Sequence, residues 1–422
     1  MGRHRPERDI FRTDERDSNM RKRILALSYY FPPMAAPRSI QVSRLLSGLD
    51  ASVFLVCGKD TIETIDETIP VSDPGRYEMV YKIPFHKNKY KRYSDYASRR
   101  MGLSFSDMPD EKRGWAKRAA RETASLLPAS DIRAMTLITF GQPMSDHLAG
   151  LELKKKYGLP WIAHFSDPWF DSPFRNDNYF TGNINYSLER EVIKNSDITI
   201  FTSEETSELV MSKYPASWKD KAVYLPHCYD RELIESITPD KNSEYTFRSI
   251  GNFYGNRTPE PFYRAVETIA RSEPGILNDV RIEFYGYFEK RLKSLLDSYP
   301  QAGKHIHYHG TVPYMDGLKL AAGADCLLAI DAPSEYSIFF PSKLVDYAGT
   351  GKYIFAITPR GTTANIVNKA GGETANPADI GTVTSVLTDI LKTRPRAVPN
   401  RLVEFEKNVV CGKMMDILNS LS

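Results

Sequence analysis

Short blocks of unbroken apolar residues recur along the chain, each followed by a polar turn and then a stretch with helical spacing. Residues 24–28 (ILALS), 52–58 (SVFLVCG), 135–140 (MTLITF) and 161–165 (WIAHF) have the length and flanks of strands buried on both faces, as in a parallel sheet. Helical spacing follows in IQVSRLLSGL (40–49) and in the stretch after 141. The segment 186–215 reads as helix, strand and a second helix capped by Thr202 or Ser203. A second series begins at 245–250 (YTFRSI) and continues through 280–286 (VRIEFYG), 305–312 (HIHYHGTV), 325–330 (DCLLAI) and 353–357 (YIFAI). Helices are predicted after Thr258 and Pro259, over Met315–Gly323, after Pro341 and over 405–421. Two strand–loop–helix series in succession predict an α/β protein of two facing, doubly wound Rossmann-like domains with a cleft between them.

The polar stretches set the boundaries. Residues 1–22 carry dense mixed charge and no apolar run, which predicts a disordered tail and excludes a secretory signal. The first domain is expected over 23–230, a polar linker over 231–244, the second domain over 245–400 and a terminal helix over 401–422. At 422 residues each half can bury its own core. A net charge of +3 is too mild to imply nucleic acid. No apolar segment approaches the ~18 residues that cross a bilayer. The scattered Cys57, Cys228, Cys326 and Cys411 fit buried thiols in a reducing, cytoplasmic setting. Residues 81–100 hold seven Lys/Arg and four Tyr against one Asp. They read either as a solvated loop and helix face or as a patch for an anionic membrane surface.

Candidate chemistry gathers at the strand ends. In the second series Lys343 stands in the first turn of a helix opened by Pro341 and Ser342 and ended by Gly349 and Gly351. A cation there is unfavourable unless an anion binds with it. Asp346 follows on the same face, so a phosphate and a sugar hydroxyl could share the site; a plain surface Lys–Asp pair is the other reading. Gly251 and Gly255 let backbone amides approach an anion, and Arg257 stands at the next helix mouth, either for a phosphate or for a structural salt bridge. In the first series Arg38 is the only charge in the loop 29–39, and Asp167 lies just past a strand end. Asp167 could face an acceptor hydroxyl or cap a turn. Trp169 could stack on a sugar or fill the core, and His164 could join the site or lie satisfied in a strand. The chain lacks a DxD pair after a strand, HExxH and any Cys/His cluster, so no metal is expected, and it lacks the GxSxG of α/β-hydrolases.

PSKLVDYAGTGKYIFAI (341–357) resembles the C-terminal motif of retaining GT-B glycosyltransferases of family 4. TFGQPMSDHLAGLELKKKYGLPWIAHFSDPW (139–169) and GNFYGNRTPEPFYRA (251–265) are similar to two further blocks of that family. His164 replaces the usual Asp and Ser166 the usual Arg of the first block. The E-x7-E pattern keeps its second carboxylate as Asp346 and has Ile338 in the first position. The R-x4-K pair becomes Asn252 and Arg257. The resemblance implies sugar transfer with retention from a nucleotide-diphosphate sugar, without cofactor or metal. The acceptor would be a glycan or lipid-linked molecule of cell-surface polysaccharide biosynthesis, met in the cytoplasm or on the inner membrane face.

The same resemblance implies roles. Arg257, Lys343 and Ser342 would hold the diphosphate with Gly251 and Asn252 beside them, and Asp346 would bind ribose. Gly310, Thr311 and Val312 would meet the nucleobase, the backbone at Phe340 the donor sugar. Asp167, Arg38, His164 and Trp169 would face the acceptor. A GT-B epimerase, and a non-catalytic subunit of a glycan assembly complex, are the alternatives.

Overall fold

The computed structural model describes residues 8–9, 21–60, 64–71, 74–85, 108–173 and 177–421. They divide into two units, one of Met1–Pro226 with Val410–Ser422 and one of His227–Val409. The division falls after Pro226, ahead of the boundary read at 230. The segment read as a linker starts with a helix, Arg231–Glu235, whose Ile234 is buried in the second core.

Among the described residues the first unit has eight strands. They are β1 (Arg8–Asp9), β2 (Lys22–Ser28), β3 (Ala51–Asp60), β4 (Tyr77–Phe85), β5 (Thr136–Gly141), β6 (Trp161–Phe165), β7 (Ile198–Phe201) and β8 (Ala222–Tyr224). The sheet order is β1-β4-β3-β2-β5-β6-β7-β8, parallel from β4 to β8. β5 and β6 are buried along their whole length, because helices cover both faces of a doubly wound sheet. Two expectations fail here. Arg8–Asp9 lies in the segment read as a tail yet pairs antiparallel with Val80 and Tyr81. Residues 81–85, read as the start of a basic loop, complete β4, whose alternating YEMVYKIPF suits a strand of mixed exposure. The rest of the proposed membrane patch, 86–100, lies outside the described residues.

The C-terminal helix Lys407–Ser420 turns Val410, Cys411, Met414 and Leu418 inward. Cys411 Sγ approaches Leu45 O at 3.5 Å, and Lys22 Nζ donates to Leu418 O. These residues therefore belong to the first unit although the chain reaches them from the second. Among the described residues no helix is long and apolar enough to cross a membrane.

The second unit has, among the described residues, β9 (Tyr245–Ile250), β10 (Val280–Tyr285), β11 (Ile306–Gly310), β12 (Cys326–Ile330), β13 (Tyr353–Ile357) and β14 (Glu373–Ala375). They form a parallel sheet in the order β11-β10-β9-β12-β13-β14. Helix Ser342–Thr350 follows β12 and packs by Leu344, Val345, Tyr347 and Ala348. Its end is Gly351, in the left-handed conformation at φ 67°. Gly349, read as a terminator, instead lies inside the helix. A Cβ there would stand 2.6 Å from Ile234 Cδ1 and 2.7 Å from Tyr229 Cγ, so glycine permits close packing on Tyr229 and Ile234.

Candidate functional site

In both sheets the strand order reverses around the first strand of the series, between β9 and β12 in the second unit and between β2 and β5 in the first. Chains leaving such neighbours turn to opposite faces and open a crevice at their carboxyl ends, where α/β folds bind ligands. The sequence places its polar residues at both crevices.

In the second unit Gly251 follows β9 at φ 140°, a backbone conformation that glycine tolerates. Its Cα faces the Lys343 side chain; a Cβ there would lie 3.3 Å from Lys343 Cδ and 3.6 Å from Nζ. Lys343 Nζ is buried and has no hydrogen-bond partner. It lies over the Phe253 ring, with the centroid 5.7 Å away. Burial lowers the ammonium to about 7, Arg257 pushes in the same direction and Asp331 opposes both. Arg257 reaches Asp331 at 3.8 Å, and Asp331 also accepts from Thr358 Oγ1 at 2.9 Å. Helix Ser342–Thr350 has Pro341 as N-cap and no side chain on its first-turn N–H groups. A helix start without a side-chain cap, a partially buried guanidinium and an unpartnered lysine thus meet, an arrangement fit for a phosphate group.

The neighbouring strand ends are tied to this point. A Cβ on Gly286 would fall 2.2 Å from Gly251 O, and Gly286 N–H donates to Gly310 O at 2.6 Å. Gly310, Thr311 and Val312 therefore stand on the β11 side of the same sheet edge, with Gly310 at φ 78°. Asn252 is committed to the fold, its Oδ1 accepting from Tyr287 N–H at 2.9 Å. Asp346 accepts from Tyr314 OH at 3.4 Å rather than from Lys343, so the two are not the surface pair that spacing allowed. Phe340 points into the core between His227 and Phe405, at 5.5 and 5.2 Å between centroids. Thr258 caps as expected in one respect, its Oγ1 accepting from Glu260 N–H at 3.2 Å, although the helix begins at Glu260.

In the first unit the crevice is lined by buried charged groups. Arg38 is buried in the first turn of helix Pro37–Gly48, and its guanidinium reaches His164 Nδ1 at 3.1 Å and His164 O at 3.2 Å. Burial lowers it to about 10 despite the opposing carboxylates of Asp167 and Asp146. His164 is thereby a buried strand residue bonded to Arg38. Asp167, next to Ser166 Oγ at 3.3 Å, keeps its strand-end place and the Arg38 field. Trp169 does not offer a face to a sugar. It is fully buried, its indole N–H donates to Asn185 Oδ1 at 2.9 Å, and it stacks 6.5 Å from His147.

Several residues at this crevice were not singled out in the sequence. Asp146 is fully buried and accepts from Tyr29 N–H at 2.7 Å, joining the ends of β2 and β5. Burial raises its carboxyl well above the usual range against that bond, with Asp110 adding and Arg38 and Lys112 opposing. His147, bonded to Thr139 Oγ1 at 2.7 Å, is held down to about 3 by burial and by Arg38. Lys112 donates to Tyr29 OH at 2.9 Å.

The comparisons bear on the architecture. A sucrose-phosphate synthase from Thermosynechococcus elongatus superposes with a TM-score of 0.67 at 14% identity, over 95% of this chain and 99% of that one. A trehalose-6-phosphate synthase, OtsA, gives 0.65 at 13% over 94% and 99%. Anabaena HepE in complex with UDP and glucose gives 0.61 at 11% over 94% and 100%. The chain has a GT-B fold. No protein-family model matches it, and no curated protein sequence does. Its likeness to other GT-B proteins is therefore carried by structure. Asp331 and Asp146 were open to discovery from the sequence by one signal each: Asp331 directly follows the apolar run of β12, and Asp146 sits inside the block 139–169.

Proposed function

We propose that this protein is a glycosyltransferase that takes its sugar from a nucleotide-diphosphate sugar bound at the β9/β12 crevice. One observation carries the reading: Lys343 Nζ, buried and unpartnered, lies beside Gly251 at an uncapped helix start with Arg257 near. Leaving such an ammonium unpaired is costly, and a diphosphate would complete it. Arg257 and Lys343 would also hold the charge that builds on the departing diphosphate. A uridine donor is favoured by the structural neighbours crystallised with UDP, UDP-glucose or a UDP-fluoroglucose. Asp346 suits the ribose hydroxyls and Gly310–Val312 the base, while Asp167 and Arg38 suit the acceptor.

Retention, independence of metal and membership of the family-4 subgroup rest on the resemblance of 341–357, 139–169 and 251–265. So do a glycan or lipid-linked acceptor in surface polysaccharide synthesis and a place in the cytoplasm or on the inner membrane face. A non-catalytic subunit has one observation in its favour, since Asn252 replaces a cation and is spent on Tyr287. Calorimetry with UDP-glucose, GDP-mannose and the free diphosphates, on wild type and Lys343→Ala, tests the reading. Saturable binding weakened about 10- to 100-fold by the substitution is expected. A folded protein that binds none of them refutes it.

A further inference from the structure

Lys343 is set apart within the β9/β12 crevice by its Nζ, which is buried without a hydrogen-bond partner although Asp331 is close enough to favour its charge. From the β12 side Asp331 is engaged by Arg257 and Thr358. From its own helix Asp346 is turned to Tyr314. From the β9 side the groups that face Lys343 are Gly251, the Phe253 ring and the Arg257 guanidinium. Among the described residues the strand ends thus present a cation, a ring and a glycine to the ammonium, and the Asp331 carboxylate that favours its charge is engaged by Arg257 and Thr358.

We propose that Lys343 is largely uncharged in the empty site under mildly alkaline conditions and takes up a proton as the nucleotide sugar binds, so that donor and proton load together. The inference rests on the nucleotide-sugar reading and deepens it. Burial and the Arg257 charge oppose the ammonium while the crevice is empty, and the lowering to about 7 follows from that geometry. A diphosphate against Nζ reverses the balance, because an adjacent dianion favours the charged form. By linkage, affinity then rises as pH falls toward the free value and levels off below it, where the lysine is already protonated. Above that value affinity falls, by about tenfold for each further pH unit once the lysine is mostly neutral.

UDP-glucose is the suitable probe, since its diphosphate is a diester on both sides and does not titrate near neutrality. Calorimetry in buffers of different ionisation heat counts the protons. The expected uptake approaches one proton well above neutrality and falls toward none well below it. Lys343→Arg should bind with almost no uptake and little pH dependence. Lysine-labelled NMR on the unliganded protein supplies a measure that needs no ligand: the resonance missing from Lys343→Arg should titrate near neutrality. UDP-glucose binding with no proton exchange at pH 8 overturns the proposal and leaves the nucleotide-sugar reading standing. A Lys343 resonance that stays charged to pH 9 or above does the same. No UDP-glucose binding to a protein whose lysine does titrate near neutrality overturns both.

Discussion

At the scale of single residues, burial decides which charges are available for chemistry. The Asp146 carboxyl and the Lys343 Nζ are both buried, yet the first is bonded through Oδ2 to a backbone N–H and the second has no hydrogen-bond partner. A carboxyl raised above its unfolded value binds its proton more tightly in the native state, so its contribution to stability falls as pH rises through that shifted range. Asp146→Asn keeps an oxygen for the Tyr29 N–H and removes the cost of ionisation. It should raise Tm at pH 8 relative to wild type, with the gain fading toward pH 4; thermal melts across that range check it. Equal or lower Tm at pH 8 would mean that Arg38 and Lys112 offset the burial. The family resemblance, and not spacing, grouped Lys343 with Arg257 and Gly251, and in the fold Gly251 and Arg257 do lie near Lys343. Spacing left open whether Lys343 paired with Asp346, because helix periodicity gives the face and not the hydrogen-bond partner.

At the scale of elements, two contacts fix the loops that carry the sites. Glu189, on helix Tyr179–Asn195, accepts from Tyr214 OH at 2.7 Å and Phe170 N–H at 2.8 Å, and pairs with Lys213 at 2.9 Å. It pins the chain after Asp167. Glu189→Ala leaves Lys213 with Asp171 as its carboxylate partner but removes the acceptor of the Phe170 N–H and the Tyr214 hydroxyl, and each buried group so unsatisfied costs about 1–3 kcal/mol. A fall in the denaturant midpoint, with faster exchange of the amides around Phe170, is the expected result. In the second unit Gly349→Val would drive a side chain into Tyr229 and Ile234, a contact already at 2.6–2.7 Å for the first carbon. Overpacking of this kind costs about 1–3 kcal/mol, and chemical denaturation measures it. Gly349 looked like a helix stop because glycine commonly is one; the actual stop is two positions on, where φ is positive.

At the scale of the whole molecule, the chain returns to its first unit for its last thirteen residues, 410–422. Val410, Cys411, Met414 and Leu418 are nearly inaccessible there, and each such burial contributes about 1.5–3 kcal/mol for the larger side chains. Truncation after Glu406 should therefore destabilise residues 22–226 more than 245–400, as hydrogen exchange would register. Uniform destabilisation of both units would contradict it.

Most of the strands, their division into two series, and the placing of glycine or a cation just after β9 and β12 were legible in the chain alone. Those features are local: a buried parallel strand must be apolar along its length, and a helix must begin with turn chemistry and end at a tolerated positive φ. Only the tertiary structure decided that β2 and β9 sit at the points of reversal, that Trp169 is core, and that β4 runs through residues 81–85. It also decided that Arg38 is spent on His164 while Lys343 remains without a partner. These depend on which distant segments share a face, and on how much water their packing excludes, neither of which a residue's neighbours in the chain specify.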